Sequence, residues 1–213
     1  MMNAKVTAVM AEYAAREEAE RQILRGWDND AYLRERETML LGIGPETGQF
    51  LNLLVKAQRP RNIVEVGTAF GYSTLWLAEA AASVGAMVTT YELAPEKHVY
   101  AADMIGKAGL GNCVRFVTGD ALSSLSARDT PVDFALIDLW KDLYIPALDL
   151  LYPRLSSGAI VCADNMLFPD YQREAAATYT AHVCKLSGAE SLTVPVGSGV
   201  EFTRFAATAK EPR

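Results

Sequence analysis

Short apolar runs alternate with amphipathic segments from residue 62 onward. Runs rich in Val, Ile, Phe and Thr predict buried β-strands, which cover 62–66, 87–92, 113–117, 133–138 and 159–163. Segments of helical periodicity separate them, near 72–83, 95–108, 121–126, 143–152 and 171–186. Such regular alternation predicts an α/β fold with a mostly parallel sheet and helices on both faces.

The last apolar segment departs from this alternation. Residues 190–205 contain two strand-like runs on either side of Pro195 to Gly199, a spacing that predicts an antiparallel hairpin. The predicted sheet therefore has seven strands. No internal repeat, low-complexity segment or linker interrupts it, so we expect a single α/β domain.

The chain before the first strand is predicted to be helical. Residues 4–25 are charged and rich in Ala, with an apolar stripe formed by Val6, Val9, Met10 and Tyr13. We divide the chain into a helical extension over 1–38, which would serve as a lid or a dimer contact, and a domain over 39–213.

Two further helices are expected before the sheet. Asn29 and Asp30 form a cap signal for a short helix over 31–39. After the break at Gly42 to Pro45, a longer helix over 46–56 should direct Phe50, Leu53 and Leu54 toward the core.

Composition narrows the class of protein. A chain of 213 residues with 50% hydrophobic content can bury one full core. The net charge is −6 and no basic run is present, which makes nucleic acid an unlikely partner.

The cysteines Cys113, Cys162 and Cys184 are odd in number and lack C-x-x-C spacing, so they predict neither a disulfide framework nor a zinc site. Without a secretory signal or an apolar span, the sequence predicts a cytoplasmic protein with no membrane partner.

Two predicted strands end in acidic residues. The run before Asp138 is 134–137, and the run before Asp164 and Asn165 is 159–162. The carboxyl ends of neighbouring parallel strands share one edge of a sheet, so these three side chains should meet there, with Lys141 beside them. Their oxygens suit a hard cation such as Mg²⁺. Metal charge and partial burial would lower the pKa of Lys141 enough for it to act as a base.

The first strand runs into a glycine-rich turn. The spacing Gly67-x-x-x-Gly71 lets the backbone approach a ligand, although it is not the G-x-G-x-x-G of a dinucleotide site. Glu92 ends the second strand, where it could hold a ribose, and Asp120 ends the third, where it could meet an adenine amino group. Each acid alone also fits a helix cap, but their recurrence on consecutive strand ends favours a ligand site.

These motifs together resemble class I S-adenosylmethionine-dependent methyltransferases. The resemblance is to the small cation-dependent O-methyltransferases related to catechol O-methyltransferase and caffeoyl-CoA O-methyltransferase, and it covers about 39–205. It implies a Rossmann-like sandwich, with S-adenosylmethionine and Mg²⁺ or another divalent cation as cofactors. The cofactor-binding residues it implies are Ile43, Glu65, Gly67, Ser73, Glu92, Asp120, Ala121 and Asp138. The metal ligands it implies are Asp138, Asp164 and Asn165.

Within this family the sequence is more similar to the animal-type catechol enzymes. Trp140 stands where plant and many bacterial members have a second acid. In the catechol enzymes, residues matching Trp140 and Pro169 hold the aromatic ring, and one matching Glu201 binds the hydroxyl that is not methylated. The resemblance thus implies Lys141 as the catalytic base and a substrate site of Trp140, Lys141, Asn165, Pro169 and Glu201. Leu139 departs from the pattern, because the animal-type enzyme has a histidine there.

The resulting prediction is transfer of a methyl group from S-adenosylmethionine to one hydroxyl of a small aromatic vicinal diol, assisted by Mg²⁺. A homodimer is a possible assembly. Alternatives are a non-catechol substrate, such as a natural-product or tRNA hydroxyl, and a nicotinamide-dependent oxidoreductase. A non-catalytic nucleotide-binding module is a further alternative, but neither it nor the oxidoreductase would require the acidic residues beside Lys141.

Several of these side chains also have simpler interpretations. Lys141 could be a solvated lysine, Trp140 a core residue, and Glu201 a surface residue paired with Arg204. The two histidines, His98 and His182, and also Tyr144, are expected to be structural or solvated.

Overall fold

A seven-stranded sheet forms the centre of the computed structural model, which describes residues 3–25 and 34–206. Its strands are β1 (Asn62–Val66), β2 (Met87–Glu92), β3 (Val114–Thr118), β4 (Val132–Ile137), β5 (Leu155–Ala163), β6 (Ala189–Val194) and β7 (Val200–Phe205). Their spatial order is β3-β2-β1-β4-β5-β7-β6. The first five pair in parallel, whereas β7 runs antiparallel to both β5 and β6. The predicted mostly parallel sheet with a C-terminal hairpin is confirmed.

Helices cover both faces of this sheet. They are α1 (Ala4–Leu24), α2 (Gly44–Gln58), α3 (Tyr72–Val84), α4 (Pro95–Lys107), α5 (Ala121–Ser126), α6 (Tyr144–Leu151) and α7 (Arg173–Val183). The alternation of side chains along β1 shows how the core is divided: Ile63 packs with α1 to α4, and Val64 packs with α5 to α7. Both faces of the central strands are therefore buried, as the continuous apolar runs require.

The region before β1 agrees only in part with the predictions. The segment 26–33, which includes the Asn29–Asp30 cap signal, lies outside the described residues, and a short 3₁₀ turn, Arg36–Thr38, lies between that segment and α2. Leu53 is predicted in the core but is 58% exposed. Leu51 and Val55, one helical turn apart on α2, occupy the buried face instead, and Leu53 lies opposite them.

Helix α1 packs on the same core as the sheet. Val6, Val9 and Tyr13 are buried against α3 and α4, as the apolar stripe predicts. The Tyr13 hydroxyl also donates a hydrogen bond of 2.6 Å to the carbonyl oxygen of Phe70, in the turn after β1. The N-terminal helix thus supports this turn from behind, and its role as a lid or a dimer contact stays a prediction.

Within the described residues, no helix combines the length and the apolar character needed to cross a membrane.

Candidate active site

A cavity of about 750 Å³ opens at the carboxyl ends of the strands. It lies where the order of the sheet reverses, between β1 and β4, which is where open parallel sheets bind their ligands. Ten of the predicted site residues line it: Ile43, Gly67, Ser73, Glu92, Asp120, Ala121, Asp138, Trp140, Asn165 and Pro169. Four predicted residues are not on its wall, namely Glu65, Lys141, Asp164 and Glu201.

The turn between β1 and α3 brings the backbone to the cavity. Gly67 has φ +104°, and a methyl group added there would overlap the carbonyl oxygen of Asp138. Only glycine satisfies both the conformation and the close approach. The amides of Gly67 and Thr68 each donate to the carbonyl oxygen of Tyr91 at 3.1 Å, which fixes the turn to the end of β2.

Glu92 and Asp120 each hold part of the surrounding backbone. The Glu92 carboxylate accepts hydrogen bonds from the amides of Ala69 (2.9 Å) and Ala94 (3.0 Å). Asp120 caps α5 by accepting from the amide of Ser123 at 2.8 Å, so the helix-cap interpretation of this acid is correct. A carboxylate has about four acceptor positions, so both side chains can still bind a ligand from the cavity that they line.

Glu65 lies behind the turn and is completely buried. Its Oε2 accepts hydrogen bonds from the hydroxyls of Thr74 (2.5 Å) and Thr90 (2.6 Å), while Oε1 has no partner among the described residues. Burial raises the pKa of Glu65 to about 7. Its position makes it a support for the turn rather than a wall of the cavity.

A hydrogen-bonded chain extends from Glu65 to His98. Thr90 gives its only hydroxyl hydrogen to Glu65, so it must accept from Thr68 at 2.5 Å. Thr68 must then accept from Nε2 of His98 at 3.1 Å. Burial lowers the pKa of His98 and so favours the neutral ring, in which Nδ1 accepts from the Thr118 hydroxyl at 2.7 Å. His98 therefore helps to hold the turn between β1 and α3 in place.

The predicted metal corner brings Asp138, Asp164 and Asn165 together at the ends of β4 and β5. The amide of Asp138 donates to Val66 O at 2.9 Å and that of Asp164 to Ile137 O at 3.2 Å, which aligns both strand ends with β1 and β4. Asp164 is fully buried: its Oδ2 accepts from the Asn165 amide at 3.2 Å, and its Oδ1 has no partner among the described residues. The Asp138 side chain opens to the cavity.

The electrostatics of this corner favour a cation. Burial raises the pKa of the Asp138 carboxyl, and burial together with repulsion from Asp138 raises the pKa of Asp164. Two carboxylates and the remaining Asn165 oxygen form a set of hard ligands with an unpaired acceptor among them. Across 3–25 and 34–206, no cluster of three or more His, Cys, Asp or Glu side chains is arranged to hold a metal. The site would therefore depend on Asn165 as its third protein ligand.

Lys141 lies directly behind these acids. Its Nζ donates to the carbonyl oxygen of Asp164 at 2.7 Å and lies 3.5 Å from the ring centroid of Tyr144. Burial lowers the pKa of Lys141, with the charges of Asp138 and Asp164 acting in the opposite sense. Tyr144 is buried and donates to the same carbonyl at 3.1 Å, which agrees with a packing role.

The outer wall of the cavity is apolar and aromatic. Trp140 is 40% exposed and lines the cavity beside Asp138, so it is not a core residue. Sequence reasoning missed several neighbours on this wall: Leu41, Leu143, Phe168, Tyr171 and Ser198. Phe168 and Tyr171 flank the predicted Pro169, and both are exposed. The sequence signal that could have identified them is the presence of two aromatic residues within six positions of Asn165. The same signal could not identify Leu41, because Leu41 lies in the segment before α2, far in sequence from Asn165.

Glu201 is the predicted substrate residue whose position disagrees with its assigned role. It is 1% exposed and its carboxylate accepts hydrogen bonds from the hydroxyls of Thr180 (3.2 Å), Ser191 (2.6 Å) and Thr193 (2.5 Å). Because these donors hold it between β6 and α7, Glu201 does not reach the cavity. The alternative pairing with Arg204 is also wrong, since Arg204 pairs with Glu190 at 3.1 Å.

Comparison with known proteins identifies the family of this chain. The sequence model of a family described as O-methyltransferase matches residues 15–192. The chain is 30% identical over 154 residues to a catechol O-methyltransferase of Niastella koreensis, covering 68% of this chain and 69% of that protein. It spans about half the length of two mammalian catechol O-methyltransferases that it matches, 53% for Bos taurus and 55% for Mus musculus.

Solved structures show the same fold. The O-methyltransferase from Bacillus cereus in complex with SAH has a TM-score of 0.73 and 25% identity, covering 95% of this chain and 91% of that one. The O-methyltransferase TomG from Streptomyces achromogenes, in complex with SAM, has a TM-score of 0.70 and 25% identity, covering 81% and 86%. This match removes the nicotinamide-dependent oxidoreductase as an alternative. The chain belongs to the family of S-adenosylmethionine-dependent O-methyltransferases.

Proposed function

We propose that the protein transfers a methyl group from S-adenosylmethionine to one hydroxyl of an aromatic vicinal diol, with Mg²⁺ or another divalent cation bound at Asp138, Asp164 and Asn165. The observation that carries this proposal is the buried Asp164 oxygen without a hydrogen-bond donor among the described residues, next to a second acid that opens to the cavity. A buried carboxylate normally has its charge compensated. Here the missing partner would be the cation.

The cofactor side of the cavity is suited to S-adenosylmethionine, which supplies the electrophilic methyl group. The Gly67 turn allows close backbone approach, Glu92 offers acceptor positions suited to a ribose, and Asp120 and Ala121 border the adenine side. Ser73 lies at the start of α3, whose N-terminus favours a negatively charged group such as a carboxylate. The known SAM and SAH complexes of structural relatives support the same ligand.

A divalent cation supplies charge that stabilises a deprotonated diol. Asp138, Asp164 and Asn165 would hold it by their oxygens, which are the ligand type that a hard cation prefers. Lys141 and Tyr144 both donate to the carbonyl oxygen of Asp164. These two hydrogen bonds hold the backbone from which the Asp164 carboxylate would bind the ion.

We assign removal of the substrate proton to Lys141, which lies behind the cavity wall and would have to release the carbonyl oxygen of Asp164 to reach a substrate. The reaction forms an oxygen–carbon bond and breaks the sulfur–carbon bond of the cofactor, and the hydroxyl hydrogen must leave. An ammonium group cannot accept it, so the lowered pKa of Lys141 matters because it increases the neutral fraction. General-base assistance of this kind is worth roughly two to four orders of magnitude in rate.

The apolar wall is suited to a flat ring. Trp140 and Phe168 present aromatic surface, and Leu143 adds aliphatic surface beside the metal corner. Burial of an aromatic ring there would hold its hydroxyls toward Asp138 and Asn165. Orientation of this kind supplies a large share of the rate of a bimolecular reaction.

A phenolic intermediate of a natural product is a second candidate substrate. It is favoured by the similarity to TomG, which is described as involved in tomaymycin synthesis, and by the exposed rim formed by Phe168 and Tyr171. Such a substrate would use the same metal corner, so the two candidates differ only in what extends beyond the ring.

The test is a comparison of catechol, 3,4-dihydroxybenzoate and phenol at saturating S-adenosylmethionine, with Mg²⁺ and with excess chelator. Both diols should be methylated, phenol should react roughly a hundredfold more slowly because one hydroxyl cannot be positioned, and chelator should abolish turnover. Equal rates for phenol and the diols, or full activity in chelator, would contradict the proposal.

A further inference from the structure

Arg36 adds a positive charge to the outer end of the aromatic wall. It lies in the 3₁₀ turn before α2, and its guanidinium carbon is 4.1 Å from the centroid of the Trp140 ring. Trp140 lines the cavity two residues after Asp138, and Glu37, the neighbour of Arg36, lines it as well. A cation therefore lies against the ring that would contact the substrate.

The stacking leaves the donors of Arg36 available. A guanidinium that lies over an aromatic ring uses its flat face, whereas its five N–H groups point outward in its own plane. Within the described part of the chain, the Arg36 side chain donates no hydrogen bond and forms no ion pair. An anionic group at the mouth of the cavity could bind these donors without disturbing the stack.

Two other cations on this side of the described structure are already paired. Lys97 forms an ion pair of 2.7 Å with Glu37, and Arg173 one of 2.9 Å with Asp170. Their charges are largely compensated by these partners. Arg36 differs from both, because it stacks on the Trp140 ring and no ion pair compensates its charge among the described residues.

From this geometry we propose that Arg36 is a specificity-determining residue, which favours aromatic diols that carry a carboxylate on the ring or on a short side chain. The inference rests on the proposed function, because the diol must first be held at Asp138, Asp164 and Asn165. With the diol there and the ring along Trp140, the opposite end of the substrate points toward the rim. A planar carboxylate matches the fork of donors that arginine presents.

The experiment compares two substrates of the same shape, 3,4-dihydroxybenzoate and the neutral 3,4-dihydroxybenzamide. Steady-state rates with Mg²⁺ and S-adenosylmethionine are combined with calorimetric binding of each compound to the protein loaded with Mg²⁺ and S-adenosylhomocysteine. Arg36→Gln removes the charge, Arg36→Lys keeps it without the planar fork, and Arg34→Gln is the matched control, since Arg34 is exposed and no contact between Arg34 and Trp140 is seen.

We expect Arg36→Gln to lower kcat/KM for the acid by about tenfold, mainly through KM, the lower end of the range for a hydrogen bond to a charged group. The amide should change by less than about twofold, and Arg36→Lys should fall between wild type and Arg36→Gln. Arg34→Gln should behave like wild type with both compounds.

Four results would overturn the inference. Equal losses for acid and amide in Arg36→Gln would mean that Arg36 only supports Trp140, and unchanged values for both would mean that it contributes nothing. If wild type methylates both diols but binds the amide as tightly as the acid, the proposed function stands and the role of Arg36 fails. If wild type neither binds nor methylates either diol, both proposals fail.

Discussion

Asp164 and Glu201 are two buried carboxylates at the same end of the sheet, and they are compensated in opposite ways. In the β5–β7 register Glu201 lies opposite Ala163, the residue that precedes Asp164. Three hydroxyls donate to Glu201 and both of its oxygens are bonded. Among the described residues, the Asp164 carboxylate accepts at Oδ2 from the side-chain amide of Asn165, and its Oδ1 has no donor. Among the described residues, the carboxylate of Glu201 is therefore fully hydrogen-bonded, whereas that of Asp164 has one oxygen without a donor.

The number of hydrogen-bond donors distinguishes a buried acid with a structural role from one that would bind a ligand better than the extent of burial does. Both side chains are at most 1% exposed, so burial alone gives them the same role. A buried charge requires compensation by hydrogen bonds or by an opposite charge. Glu201 obtains this from Thr180, Ser191 and Thr193, whereas Asp164 would obtain it from a cation. The number of donors around the carboxylate therefore carries the functional information.

The largest effect should follow removal of the cation or of its incomplete ligand. Chelation, or Asp164→Ala, should lower turnover at least about a thousandfold, because a metal supplies several kcal/mol of charge stabilisation. Calorimetry should show S-adenosylmethionine binding nearly unchanged. Independently of activity, Mg²⁺ at 100 times its Kd should stabilise wild type by about 2.7 kcal/mol, which corresponds to about 5–10 °C in Tm for a chain of this size.

Glu201→Gln is the matched control for the metal experiment. It changes an equally buried carboxylate that has its own donors, so Mg²⁺ should raise the Tm of this variant as much as that of wild type. The proposed difference between the two acids would be contradicted if Mg²⁺ still raised the Tm of Asp164→Ala. It would also be contradicted if Mg²⁺ did not raise the Tm of Glu201→Gln.

Lys141 should give the next largest effect. Lys141→Met keeps most of the length and apolar volume of the side chain but removes the group that would take the proton. We expect kcat to fall by roughly two to four orders of magnitude with little change in S-adenosylmethionine affinity. Lys185→Met, at an exposed position, controls for the loss of a positive charge. Activity of Lys141→Met within tenfold of wild type would assign proton removal to another group.

The fold could be predicted almost completely from the sequence because its signals are local. The strand runs and the helices between them lie within a few residues of the predicted bounds, since β-branched and apolar residues favour buried strands wherever they occur together. The prediction for Leu53 is wrong because helical phase was assigned from an apolar pair, while Thr47 and Asn52 also face inward on α2. Polar residues on a buried face are invisible to a hydrophobic pattern.

The site could be predicted only where its residues follow strand ends. Topology brings Glu92, Asp120, Asp138 and Asn165 to one edge, so their positions follow from the fold. The surroundings of Glu201 follow only in part. Thr193 lies opposite it in the predicted β6–β7 hairpin, whereas Thr180 comes from α7, and no hydrophobic pattern relates that helix to β7. Arg36 and Trp140 are likewise far apart in sequence, and no periodicity connects them.

Glu65 is an intermediate case, with one oxygen bonded to two hydroxyls and the other unpaired among the described residues. Burial raises its pKa from 4.5 to about 7, so between these values the folded state binds a proton that the unfolded state has lost. Stability from this group is therefore complete below pH 4.5 and is lost as pH rises through 7. The loss is about 3 kcal/mol, which Glu65→Gln should remove. Urea unfolding of both proteins at pH 5 and pH 8 measures it, and a difference in stability that does not change with pH would contradict the assignment.

The smallest expected effect is on the stability of the metal-free protein, and measuring it compares Asp164 and Glu201 directly. Asp164→Asn removes a buried charge whose burial and repulsion from Asp138 outweigh its attraction to Lys141, so it should leave stability unchanged or raise it at pH 8. Glu201→Gln should lower stability by about 1–3 kcal/mol, because three hydroxyls lose a charged acceptor. Urea unfolding in chelator gives both values, and Mg²⁺ should then stabilise wild type and Glu201→Gln but not Asp164→Asn. The two isosteric substitutions would thus differ in their effect on the free energy of unfolding, because the protein itself supplies the hydrogen-bond donors of Glu201, whereas an ion would compensate Asp164. If both variants lose stability equally in chelator, Asp164 is held by the protein as firmly as Glu201, and the unpaired oxygen carries no information about a metal.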